Sequence, residues 1–272
     1  MTETSRYIAS ENPFDLSFRL EEAGMNCKMA EIQSQFFSAC ARTLNELDPI
    51  APTQPVGYFV PGYLEVLGKH TDYAGGNNLV CAIDRGLAFL VRPRPDRMVH
   101  LIDAGRDVEM LINLNGFPPS SEVDWENYPR TVLNRLRENF DKFLLGADIV
   151  FASNLPPGMG LGSSSALMIG VLLCMIEAGN LRQTVPFTEN IGGSESLACY
   201  AGCIETGQSY GMLHGEQSGM FGGSGEQVAI LCGRPNSVLQ FRYNPVIDER
   251  AIAVPENHVF VVASSGVRMN EN

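Results

Sequence analysis

The sequence predicts an α+β chain with helices and strands in mixed order, and three patterns carry that expectation. Residues rich in β-formers alternate over Val56–Leu67 and again over Leu79–Val91. Apolar residues recur at helical spacing over Met29–Leu47, where Ile32, Phe36, Phe37, Cys40, Leu44 and Leu47 share a face. A strand-like run, Ala147–Ala152, leads through a glycine-rich loop into Ser163–Ala178, which is apolar almost all round and therefore reads as a buried helix.

The remaining elements follow in chain order. Residues 1–28 have no clear period, and the prolines after Ala51 break the chain before the first strand. Val99–Leu114 reads as short strands, and Trp125–Leu145 as a helix with Tyr128, Val132, Leu133, Leu136, Phe140 and Leu144 on one side. Glu195–Tyr210 reads as a further helix and Gly211–Gly225 as a long glycine-rich loop. Three late strands are expected at Gln227–Cys232, Ser237–Phe241 and His258–Ala263. No internal repeat, heptad or low-complexity segment is present.

Composition narrows the function. With 272 residues, 44% hydrophobic and 18% charged, the chain has material for a sizeable core and is not a disordered type. A net charge of −12 opposes nucleic acid and anionic membrane surfaces. No stretch reaches the apolar length of a membrane span and the N-terminus lacks signal-peptide order, so the expected location is cytoplasmic. Seven scattered cysteines show no zinc spacing and read as reduced, mostly buried thiols.

Two segments carry chemistry. Pro156–Ala166 reads P-P-G-M-G-L-G-S-S-S-A, small residues at the start of a buried helix, where free N–H groups and the positive end of the dipole favour phosphate. It is neither a P-loop, because no lysine follows the last glycine, nor a dinucleotide fingerprint, because Ser163 replaces the third glycine. An ordinary strand-to-helix turn remains open for glycines alone. Pro61–Gly76 reads P-G-Y-L-E-V-L-G-K-H-T-D-Y-A-G-G, a polar turn between strands. His70, Thr71 and Asp72 there suit a polyhydroxylated ligand, while a plain turn in which Asp72 bonds its own backbone fits locally as well.

Together these segments resemble the galactose, homoserine, mevalonate and phosphomevalonate (GHMP) kinase family, in its galactokinase-like branch, whose motifs read approximately P-G-R-V-N-L-I-G-E-H-T-D-Y-x-G-G and P-x-G-x-G-L-[GS]-S-S-[SA]. Gly222–Leu231, G-G-S-G-E-Q-V-A-I-L, is similar to the segment holding the family's catalytic acid. The resemblance implies the family's N-terminal domain, a mixed sheet with helices on one face and ribosomal protein S5 domain 2-like, over residues 1–245. Residues 246–272 would begin a second α/β domain, so the chain looks truncated. The uncovered edge would then favour instability, domain exchange or a homodimer.

By similarity, Pro157, Gly158, Gly160, Leu161, Gly162, Ser163, Ser164 and Ser165 should bind ATP, with Ser163 or Ser164 and Glu205 near Mg²⁺. His70, Asp72 and Tyr73 should face the sugar, and Glu226 and Lys69 should be catalytic. The implied reaction moves the γ-phosphoryl of ATP to a sugar hydroxyl, the anomeric one. The chain departs from the motifs at Tyr63 (family arginine), Lys69 (family glutamate) and Glu226 (family aspartate). The alternative reading is a sugar- or nucleotide-binding homologue that has lost phosphotransfer and serves sensing or regulation. A purely structural domain is the blandest reading.

Overall fold

The computed structural model describes residues 6–8, 13–48, 53–116, 125–156, 158–215 and 224–263. Its centre is β3 (Asn77–Arg94), long enough to pair with three strands. β2 (Val56–Leu67) runs antiparallel to it, from Val56 opposite Val91 to Leu67 opposite Leu79. β6 (Gly146–Ser153) takes the far half on the other edge, from Leu87 opposite Ser153 to Arg94 opposite Gly146. β7 (Ser237–Arg242) takes the near half, from Asn77 opposite Arg242 to Val80 opposite Leu239. β1 (Arg6–Ile8) extends β2, and β8 (Ile247–Ala253) extends β7. β4 (Met98–Asp103) pairs parallel with β6 and antiparallel with β5 (Val108–Asn113), which makes the eight-stranded sheet mixed.

The two-residue period of the strands divides the core. Tyr58, Val60, Leu87, Phe89, Val91, Ile149 and Phe151 face one side, where α4 (Ser163–Ala178) lies. α3 (Asn127–Phe140), α6 (Ser194–Thr206) and α7 (Gly225–Cys232) close over that helix, while the short α5 (Val185–Asn190) follows it. α4 is thus enclosed between sheet and helices, which is why no polar stripe survives on it. At Gly170 an added Cβ would lie 2.1 Å from the Phe89 ring, so glycine sets how closely helix and sheet approach.

Phe59, Ala88, Leu90, Val150 and Ala152 point to the opposite side, where α1 (Pro13–Glu22) and α2 (Cys27–Leu47) cover them with Leu16, Leu20, Phe37, Cys40 and Leu44. Helices therefore lie on both faces of the sheet, not on one. The expected mixed-sheet class stands, and the extra layer is the α1–α2 pair. α2 begins where Asn26 Oδ1 accepts the Met29 N–H at 3.0 Å, an N-cap that starts the helix at Cys27, two residues before the expected start.

Other differences have local causes. α1 carries too few apolar repeats to show a period. Residues 227–232, expected as a strand, belong to α7: the run Gln227–Ile230 is buried by neighbours on several sides, and such a run has no period of its own. β8, rich in exposed charged residues, carries no strand signal in its sequence and forms by pairing with β7. The expected strand at 258–263 is not paired into the sheet, and Val259 and Val261 are exposed. The division expected after residue 245 falls in the β7–β8 turn, and β8 continues the same sheet. Within the expected loop 211–225, residues 216–223 lie outside the described residues.

Candidate active site

The phosphate-loop segment is pinned at its start and its end. Asn154, just past β6, accepts the Gly86 N–H on its Oδ1 at 2.9 Å. Leu161 O accepts the Tyr63 N–H at 3.1 Å, tying the loop to β2. A side chain at Gly62 would strike that same carbonyl at 2.8 Å, so the loop crosses β2 where only glycine leaves room. Gly158, Gly160 and Gly162 all have positive φ, at 70°, 68° and 71°. Gly162 caps α4 without a side-chain hydrogen bond, which leaves the first-turn N–H groups of a 16-residue helix available to an anion. Pro157, expected to bind ATP, lies outside the described residues.

The second segment turns between β2 and β3. Thr71 Oγ1 lies 2.7 Å from Gly68 O and 2.8 Å from Asn77 O, closing the base of the turn. His70, at φ 63°, is exposed and stacks on the Tyr73 ring with centroids 5.7 Å apart. Asp72 is half-buried: its Oδ1 accepts the Tyr73 N–H and its Oδ2 accepts the Gly225 N–H, both at 3.1 Å. The self-bonded turn and the outward contact are therefore both present on one carboxylate.

That outward contact joins the two segments. Gly225 opens α7, and the next residue, Glu226, accepts the Tyr63 hydroxyl on Oε1 at 2.9 Å and the Ser165 hydroxyl on Oε2 at 2.7 Å. Asp72 and the α4 N-terminus are thus bridged by two consecutive residues. Gly225 has no room for a side chain to spare, since an added Cβ would lie 3.1 Å from Asp72 Oδ2. Beside Asp72, a cavity of about 320 Å³ is lined by Ser224, Cys199, Tyr210, Tyr243 and Val246 among others. Tyr243 donates to the buried Asn78 Oδ1 at 2.8 Å, bracing β7 against β3 at this point.

Electrostatics fit an anion-handling site with an acidic wall. Glu205, near the end of α6, accepts the Gln227 side-chain N–H. Partial desolvation and the Glu226 charge push its carboxyl above the ordinary 4.5, although the exposed surface of the residue tempers the desolvation. Burial and the Glu226 carboxylate push the Tyr63 phenol well above its usual value, so it stays protonated and donates. Among the described residues no cluster of three His, Cys, Asp or Glu could hold a metal alone. Glu205 with the Ser163 and Ser164 hydroxyls suits a hard cation that takes one carboxylate and completes its shell with phosphate oxygens, as Mg²⁺ does.

Lys69, expected to be catalytic, lies on the turn between β2 and β3. It is exposed on the turn and its charge acts on Glu65, while the group reaching the Glu226 carboxylate is the Tyr63 hydroxyl. Tyr63 and Gln227 escaped sequence reasoning as partners. The Tyr63–Glu226 bond spans 163 positions, which no local pattern reveals.

The geometry agrees with the comparisons. Residues 127–200 match the GHMP kinases N terminal domain, and residues 51–93 match the galactokinase galactose-binding signature. A galactokinase of Roseiflexus sp. is 31% identical over 201 residues, covering 73% of this chain and 48% of that protein. One from Streptococcus thermophilus is 38% identical over 120 residues, covering 43% and 31%. The chain spans less than half the length of these curated relatives. Among solved structures, Lactococcus lactis galactokinase complexed with galactose superposes with TM-score 0.63 at 21% identity, covering 84% of this chain and 57% of that one. Methanococcus jannaschii mevalonate kinase gives 0.53 at 16% identity, covering 74% and 57%. With both matched segments meeting at Gly225–Glu226, the chain belongs to the GHMP kinase family, in its galactokinase-like branch.

Proposed function

We propose that this chain carries the nucleotide- and sugar-facing part of an ATP-dependent sugar kinase that phosphorylates the anomeric hydroxyl. The observation that supports the reading is the bridge at Gly225–Glu226, which holds Asp72 on one side and Ser165 at the helix start on the other. In this reading the N–H groups of Gly158–Ser165 receive the triphosphate, and Asp72 with His70 and Tyr73 orients the sugar. The sugar oxygen forms a bond to the γ-phosphorus, the bond from that phosphorus to the β-phosphate oxygen breaks, and ADP leaves. The hydroxyl proton passes to a free lone pair of Glu226. Glu205, with Ser163 and Ser164, would hold Mg²⁺, which when bound neutralises phosphate charge. Positioning and charge neutralisation supply most of the rate in such a transfer.

Lys69 stands where the family motif has glutamate, so the sugars to test include uronic acids beside hexoses and pentoses. A coupled assay of ADP release over that panel tests the proposal. The expected result is sugar-dependent release that Glu226→Gln lowers about 10²- to 10⁴-fold in kcat, with binding of the ATP analogue retained. No sugar-dependent release, or an undiminished rate in Glu226→Gln, would overturn it.

A further inference from the structure

We propose that Tyr63 is a positioning residue for the Glu226 carboxylate, and that the pair works as a matched unit in place of the motif's arginine and aspartate; this rests on the kinase reading above. Glutamate adds one methylene and one torsion to the side chain that must present a carboxylate to the sugar hydroxyl. An unrestrained carboxylate displaced by about 1 Å can cost on the order of 10²-fold in rate. Donors on both carboxylate oxygens are what select one rotamer for the longer side chain.

Tyr63 supplies one of them from a rigid base. Its backbone N–H is fixed to Leu161 O at 3.1 Å, its side chain is buried at 8% exposure, and its hydroxyl ends 2.9 Å from Glu226 Oε1. The phosphate loop is shaped to that ring: an added Cβ at Gly162 would lie 2.6 Å from Tyr63 Cδ1 and 3.4 Å from Glu226 Oε2. Ser165 supplies the second donor to Oε2 at 2.7 Å. Each carboxylate oxygen thus takes one donor and keeps one lone pair for the incoming hydroxyl. The phenol, being neutral and held protonated, orients the acid without lending it a cation. Its contribution is therefore geometric and passes through Glu226.

The test is a kinetic cycle on the full chain with the sugar that gives the highest turnover. Tyr63→Phe keeps the ring and removes one oxygen, so its melting midpoint is expected to stay near wild type. Its kcat should fall about 10- to 100-fold, as for a hydrogen bond to a charged group, with KM for sugar and ATP nearly unchanged. In a Glu226→Asp background, where the shorter carboxylate withdraws from the phenol, the same change should cost less than about 3-fold, because residues acting as one unit are not additive. A kcat within 2-fold of wild type in Tyr63→Phe, or an equal loss in both backgrounds, would overturn the positioning role while leaving the kinase reading intact. Absence of wild-type turnover would instead remove the kinase reading, and this inference with it.

Discussion

Asp72 shows how a single residue can serve turn and site together. One oxygen closes the local turn at the Tyr73 N–H, and the other holds the Gly225 N–H. Asp72→Ala is expected to abolish sugar-dependent ADP release and to lower stability by about 1 kcal/mol or more for the two amides that lose their acceptor, read by the same assay and by urea melts. Glu205 predicts a pH dependence of opposite sign to an ordinary ion-paired acid. Its carboxyl is raised above 4.5 in the fold, so its ionised form costs stability at neutral pH, and that cost disappears as pH falls through the raised value. Glu205→Gln should therefore melt higher than wild type at pH 7 and level with it near pH 4, the Gln227 contact being retained. Asp72, Glu226 and the serines were legible in the sequence because their neighbours form short motifs. The role of Tyr63 was not, because its partner arrives from α7.

At the scale of elements, legibility followed how each element is buried. α2 and α3 each have one buried face, so a 3.6-residue period marks them. α7 is covered on several sides, and its apolar run looked like a strand until its helical hydrogen bonding placed Glu226 at its first turn. That correction matters to the site, because a helix start, not a strand edge, aims the carboxylate between Tyr63 and Ser165. α4 was legible as buried, yet its contact with the sheet was not. Gly170→Ala is expected to destabilise by about 1–3 kcal/mol through overpacking against Phe89, despite alanine's helix preference of about 1 kcal/mol. Chemical denaturation with an unchanged slope would confirm the mechanism, and a stabilised variant would contradict the close approach at 2.1 Å.

At the scale of the molecule, the sheet is covered on both sides, and the layer the sequence concealed is tied on by charge as well as by apolar contact. Arg92, 4% exposed, donates to Leu44 O at 2.9 Å and Asp48 O at 3.0 Å at the end of α2, and its other neighbour is Asp148 on β6 at 3.6 Å. Asp148→Ala is expected to destabilise, measured by calorimetry, because it removes the carboxylate that Arg92 at 3.6 Å shares with Arg94 at 2.7 Å. This framework keeps β2, β6 and α7 in fixed relation, and the site depends on that relation, since its residues come from the β2–β3 turn, the β6–α4 loop and the start of α7. If these three places form one ligand-binding cleft, bound ligands should protect them together. Hydrogen–deuterium exchange of the full chain with a non-hydrolysable ATP analogue and Mg²⁺, then with the active sugar added, tests it most directly. Exchange is expected to slow at Gly158–Ser165 with the nucleotide, and also at residues 68–76 and 225–226 once the sugar is added. Protection confined to some other surface, or none at these segments with both ligands bound, would contradict it.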